Sequence, residues 1–134
     1  MFVDAAAIVA MLSNEAEAER CALAVVDASA PFTSAIAVWE AAMALARPEK
    51  LAIPVARSTE IVSRFLEQRA IALRELPPAL EATSLSIEAA SRFRNNAIRL
   101  NMADCFHYAC ARYYAVPILS TAGEFSLTDL ETVP

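Results

Sequence analysis

A single glycine, Gly123, serves all 134 residues. This excludes the glycine-rich phosphate loops, because the dinucleotide fingerprint and the P-loop each need more than one. Histidine is equally scarce: His107 stands alone, with no nucleophile paired to it in sequence, and it reads as a surface or packed side chain. Ser34 and Ser120 lack a nucleophile-elbow context. The three cysteines, Cys21, Cys105 and Cys110, are odd in number and follow no disulfide-framework spacing, as expected in a reducing compartment. No Cys-x-x-Cys pair exists, and Cys105 and His107 point nearly opposite ways on a helix, so zinc is disfavoured. No apolar run is long enough to span a bilayer, and charges interrupt each one. The first charge is Asp4, so a basic signal-peptide n-region is missing and a cytoplasmic location is expected. Positive charge is also short: 11 Lys and Arg face 16 Asp and Glu, a net charge of −5. That balance argues against gripping nucleic acid by bulk electrostatics. It leaves room for an enzyme that meets phosphates through a metal.

What is present is apolar and helix-forming. Hydrophobic residues make up 57% and charged residues 20% of the chain, which predicts one globular domain over residues 1–134. Short apolar strands are expected at residues 1–5, 31–34, 71–73 and 116–120, with a short edge strand at 130–133. Between them the pattern predicts helices over 5–12, 15–28, 35–46, 54–70, 77–93 and 102–115. Asn14 reads as a cap for the second of these helices, whose buried side is Ala22, Leu23 and Val26. The stripe Ile61, Val62, Phe65 and Leu66 is the buried side of the fourth, and Leu80, Leu85, Ile87 and Ala90 that of the fifth. Trp39, Phe106, Tyr108 and Tyr113 read as core or interface. Strands alternating with helices imply an α/β fold with a mostly parallel sheet of four to five strands.

Four acids stand out against this background. Asp4 ends the first strand, where an aspartate has poor β-propensity; it either caps the next helix or faces a ligand beyond the strand end. Glu40 lies mid-helix, with Ile36, Ala37, Met43 and Ala44 one turn away. It is either a functional acid or half of a buried ion pair with a distant arginine. Asp104 falls three residues after Asn101, in reach of the free N–H groups of a first helical turn. Glu124 follows the last core strand. Clustered carboxylates repel and raise one another's pKa, and a bound cation reverses this. Oxygen ligands alone suit Mg²⁺ or Mn²⁺. The stretch Ser91–Arg99 is locally basic, suited to a phosphate backbone or to ordinary solvation.

These segments, in this order, resemble a PIN-domain ribonuclease of the VapC toxin family, over nearly the full chain. Met1 through Ala10 is similar to the family's opening, with its metal-binding aspartate. Ser34 through Glu40 resembles the segment of the second acid. Leu100-Asn101-Met102-Ala103-Asp104-Cys105 is similar to the Leu-Asn-x-x-Asp-Cys signature and is the most specific match. Ile118 through Asp129 resembles the closing segment. Three positions depart from the pattern: Ala6 stands where the family usually has Ser or Thr, Glu124 where it usually has Asp, and Gly123 where many relatives carry another polar or acidic residue.

The resemblance implies a PIN-like three-layer sandwich and metal-assisted hydrolysis of RNA as the toxin of a type II toxin–antitoxin pair. Asp4, Glu40 and Asp104 would hold Mg²⁺ or Mn²⁺, with Glu124 completing the site directly or through water. Products with a 5′-phosphate and a 3′-hydroxyl, a homodimer and a VapB-type antitoxin are implied as well, and Arg94 and Arg99 are candidates for RNA contact. Ala6 and Glu124 support an alternative: a catalytically impaired PIN-like module acting through antitoxin or RNA binding. A Mg²⁺-dependent phosphatase on another fold lacks its Asp-x-Asp motif, since the chain offers only Asp4-Ala5-Ala6.

Overall fold

In a computed structural model, residues 1–95 and 98–133 are described. Asn96 and Ala97, inside the basic stretch, and Pro134 lie outside the described residues. The chain runs β1 (Phe2–Val3), α1 (Ala5–Ser13), α2 (Ala18–Asp27), β2 (Phe32–Ser34), α3 (Ala35–Leu45), α4 (Val55–Gln68), β3 (Ala72–Arg74), α5 (Ala79–Phe93), α6 (Met102–Tyr113) and β4 (Ile118–Leu119), then a 3₁₀ turn at Gly123–Leu127. The four strands form one sheet in the order β3-β2-β1-β4. All pairings are parallel, with Phe2 opposite both Phe32 and Ile118. The expected edge strand is a single parallel bridge from Ile118 to Thr132.

The short strands β1, β2 and β4 hold because both their faces are covered, while β3 is an exposed edge. Phe2, Val3, Phe32, Ile118 and Leu119 are all buried, as a parallel sheet under helices requires. The Phe2 and Phe32 rings meet edge to face at 5.7 Å, and Phe32 meets Tyr114 at 5.0 Å. The order of strands matters for function. From β1 the chain moves outward on one side to β2 and β3, then returns through α5 and α6 to the other side at β4. The carboxyl ends of β1 and β4 therefore flank a topological switch point, where open α/β sheets bind ligands.

Some local expectations fail for identifiable reasons. Asn14 does not open α2; it closes α1 in the left-handed conformation, with φ 53°, and its N–H donates to the Ala10 carbonyl. Asparagine tolerates that conformation better than most residues. With one glycine available, three other left-handed positions fall to alanines: Ala52, Ala70 and Ala115, at φ 51–52°. On α2 the buried face is Cys21 and Val25, leaving Leu23 and Val26 exposed. On α5 it is Ala82, Ser86 and Ala89, and Leu80 is 82% and Ile87 61% exposed. Small residues let α5 lie close to α6, so the larger side chains on its outer face are left in solvent. The α4 stripe is as expected, with Val62, Phe65 and Leu66 buried. Trp39 is exposed and is not core.

Candidate metal centre

Asp4 follows the last residue of β1 and is the N-cap of α1, so cap and strand-end acid are one residue. It is 2% exposed. Its Oδ1 accepts from the Ala5 N–H at 2.8 Å, and its Oδ2 accepts from the Ser120 hydroxyl, just past β4, at 2.6 Å. His107 of α6 brings Nδ1 to 2.6 Å from Asp4 Oδ1. Burial favours the protonated acid, but the imidazole and these hydrogen bonds outweigh it, and the Asp4 carboxyl titrates below its ordinary range.

His107 is fully buried, with Phe2 packed at 5.7 Å between ring centroids. Its Nε2 lies 3.7 Å from Oε2 of Glu40 on α3. Nδ1 is thus held against Asp4, while Nε2 has no hydrogen-bond partner among the described residues. Burial alone would depress the imidazole pKa, but Asp4, Glu40 and Asp104 around it raise it above the ordinary value. Asp4, Glu40 and His107 each offer a ligand atom within 4.8 Å of the others. Glu40 is half-buried, and desolvation pushes its pKa up.

Asp104 enters from the first turn of α6, where Asn101 is the N-cap. The Asn101 N–H donates to Asp104 Oδ2 at 2.7 Å, and the Asp104 N–H donates to Asn101 Oδ1 at 3.1 Å. This reciprocal capping box fixes the direction of the carboxylate. Burial raises the Asp104 pKa to about 6, with Asp4 and Glu40 repelling its charged form.

All four acids line one cavity of about 330 Å³, together with Ala6, Arg47, Lys50, Arg99 and Asn101. The acids sit at its floor and three cations contribute to its walls. A larger concavity of about 860 Å³ lies at the amino ends of β1 and β4, beside Met1, Arg20 and Pro117, and carries none of the four acids. It is in the smaller cavity that carboxylates converge beyond the strand ends, where open α/β sheets bind ligands.

Residues 1–128 match the model of the PIN domain. The chain belongs to the PIN domain family. Ribonuclease VapC of Mycolicibacterium smegmatis is 29% identical over 134 residues, covering 99% of both chains. Ribonuclease VapC30 of Mycobacterium tuberculosis is also 29% identical, covering 99% of this chain and 98% of its own. The crystal structure of Mycobacterium tuberculosis VapC20, described as a sarcin–ricin loop cleaving toxin, superposes with a TM-score of 0.72 at 18% identity, covering 98% of this chain and 97% of that one.

In this PIN domain the structure brings Asp4 and Glu40 together, as the sequence suggested, and puts Asp104 and Glu124 on the same cavity outside that tight group. Arg99 lines the cavity; Arg94 and Arg99 share a neighbouring surface cleft with Asn101. The cysteines are buried, free and outside the ligand group. Sequence reasoning missed His107, Ser120, Arg47 and Lys50. A signal for His107 was present: it lies three residues after Asp104 on a helix, and residues so spaced share a face. Ser120 could be found only once β4 was known to pair with β1. A buried Asp4, a half-buried Glu40 and an imidazole with Nε2 unpartnered between them are a donor set suited to a divalent cation.

Proposed function

We propose that this PIN domain is a metal-dependent endoribonuclease, the toxin of a type II toxin–antitoxin pair, folded as one domain over residues 1–134 and acting in the cytoplasm. The observation that carries the reading is the convergence of Asp4 and Glu40 within 4.8 Å of each other, beside a buried imidazole, at the carboxyl ends of the strands of a PIN fold. The full-length relatives named as VapC ribonucleases supply the substrate class.

Asp4, Glu40, Asp104 and Glu124 are the carboxylates that hold Mg²⁺ or Mn²⁺. When bound, the cation supplies a polarised water and offsets negative charge on the phosphate. The remaining tasks belong to the chain. The Asn101 capping box and the Ser120 hydroxyl fix Asp104 and Asp4 before any ligand arrives. Arg47 and Arg99 flank the acids and can meet the RNA phosphates, while Lys50 is paired with Glu15 on the same wall. This arrangement lets a protein with a net charge of −5 bind a polyanion locally. Water attack with loss of the 3′-oxygen leaves a 5′-phosphate and a 3′-hydroxyl. Arg94, on the adjacent cleft, extends the RNA contact beyond the scissile bond. Exposed Leu23, Val26, Trp39, Leu80 and Ile87 are apolar surface that a second copy and a VapB-type antitoxin would cover.

The test is cleavage of a pool of structured RNAs by purified, antitoxin-free protein with Mg²⁺ or Mn²⁺, against EDTA and an Asp4→Asn control. Metal-dependent cutting lost in the variant is the expected result. A second reading, an impaired PIN module that binds RNA or antitoxin without turnover, has its own observation. Ala6 puts a methyl on the cavity wall, and Ser120 and His107 already engage both Asp4 oxygens. No cutting across the pool, together with no stabilisation by either metal, would favour it.

A further inference from the structure

We infer that His107 is a nitrogen ligand of the metal centre, so that this PIN domain holds its cation in a mixed nitrogen–oxygen site that prefers Mn²⁺ and later transition metals to Mg²⁺. The inference rests on the metal-dependent reading above and deepens it. Three observations carry it. The first is isolation: His107 is fully buried, its Nδ1 lies against Asp4, and its Nε2 has no hydrogen-bond partner among the described residues. A buried polar group left without a partner is costly and calls for an explanation such as an ion. The second is direction. His107 and Asp104 lie three apart on α6, and the ring reaches between Asp4 of α1 and Glu40 of α3. The third is spacing. Nε2 and Glu40 Oε2 are 3.7 Å apart, a gap that two ligands each about 2.1 Å from one cation span at an angle of about 120°.

The other ring nitrogen has a different task. Nδ1 is 2.6 Å from Asp4 Oδ1, too close for a cation to lie between them. A carboxylate behind one imidazole nitrogen, with the other facing the metal, is the common arrangement that fixes the tautomer and raises ligand basicity. Asp4 is in turn held by Ser120 and the Ala5 N–H, so the ring is anchored from the start of α1 and the end of β4. An imidazole nitrogen is softer than a carboxylate oxygen and adds more affinity for Mn²⁺, Co²⁺ or Zn²⁺ than for Mg²⁺, which prefers oxygen.

His107 is the only histidine of the chain, so isotopic labelling of histidine labels one residue. The experiment uses untagged, EDTA-stripped protein reloaded with Mn²⁺ and pulsed EPR of the bound ion. The expected spectrum shows modulation from a directly coordinated nitrogen, which changes frequency when the protein carries nitrogen-15 histidine. Calorimetric titration of Mn²⁺ and Mg²⁺ into wild-type protein and His107→Ser gives the second readout. The ratio of Mn²⁺ to Mg²⁺ affinity is expected to fall about tenfold or more in the variant. The labelled wild-type spectrum decides the question even where the variant folds poorly. Bound Mn²⁺ with no histidine nitrogen signal overturns the inference and leaves the carboxylate-only metal site standing. No binding of either ion by the wild type overturns both.

Discussion

Replacing Asp104 by asparagine should make the metal-free protein more stable, and the metal-loaded protein less so. Asp104 is part-exposed at the cavity, and burial with the charges of Asp4 and Glu40 raises its pKa from 3.8 to about 6. An acid with a raised folded-state pKa binds its proton more tightly folded than unfolded. Stability is therefore greatest below the unfolded value and is lost as pH rises through about 6. A displacement of this size corresponds to about 3 kcal/mol as an upper bound. Solvent screening at a part-exposed carboxylate lowers the expected cost of ionisation to about 1–2 kcal/mol. The asparagine amide oxygen can still accept from the Asn101 N–H, so the capping box is retained in neutral form. For a domain of this length, unfolding entropy of about 0.28 kcal/mol/K converts the gain to about 4–7 °C in Tm.

The assay is thermal unfolding by circular dichroism in EDTA, from mildly acidic to neutral pH, repeated with saturating Mn²⁺. In EDTA near neutral pH the variant should melt higher, and the difference should vanish toward pH 4. With Mn²⁺ the order should invert. A ligand at a hundredfold excess over Kd stabilises by about 2.7 kcal/mol, and the variant forgoes most of this. A variant that melts lower in EDTA at neutral pH would refute the reasoning. So would a gain that does not change with pH, because ionisation of the buried Asp104 would then not be its source.

Other perturbations test the frame around the site. Asn101→Ala removes the N-cap of α6 and should cost about 1 kcal/mol by chemical denaturation. Ala115→Gly relieves an alanine at φ 51° after α6 and should stabilise by about 0.5–1 kcal/mol, read as a higher urea midpoint at unchanged slope. Tyr108→Phe removes the hydroxyl that donates to Asp129 at 2.9 Å and should cost about 1 kcal/mol by the same measurement. Arg99→Ala should raise KM for RNA with little change in kcat and flatten the salt dependence of binding by about one phosphate contact.

The sequence made the fold legible because its signals are local and repeated. Short apolar runs such as Phe2-Val3 and Ile118-Leu119 alternate with helical stretches, and that alternation permits few architectures besides a covered parallel sheet. Asn101 stands where a helix start is expected and does cap α6. The faces of α2 and α5 were illegible for a different reason. Periodicity shows that a helix has an apolar side, but packing distance decides which apolar side is buried. Alanines and a serine on α5 permit close approach to α6, and Leu80 loses that competition. Within the site, each acid was conspicuous because it interrupts an apolar stretch. His107 was not, since an imidazole among aromatic and cysteine neighbours looks like ordinary core.

The geometry around His107 also bears on why such a site survives in a folded protein. Of Asp4, Glu40 and Asp104, three of the carboxylates on this cavity, the last two oppose folding when ionised, as their raised pKa values indicate. Of these three Asp4 alone is displaced downward, because the imidazole at 2.6 Å and the Ser120 and Ala5 donors outweigh its burial. Glu40 and Asp104 also feel the imidazole and Asn101, but burial and the neighbouring acids outweigh these, so the innermost acid is the best compensated by the chain itself. A cation entering the cavity relieves the acids that carry the repulsion, so binding and stability are coupled most strongly at Asp104 and Glu40. Metal-induced stabilisation should accordingly fall more in Glu40→Gln than in Ser120→Ala, measured as the Mn²⁺-dependent change in Tm. Ser120→Ala removes a donor from an acid that His107 still compensates. Equal losses in the two variants would mean that Asp4 depends on Ser120 more than on the imidazole, and the division of labour argued here would be wrong.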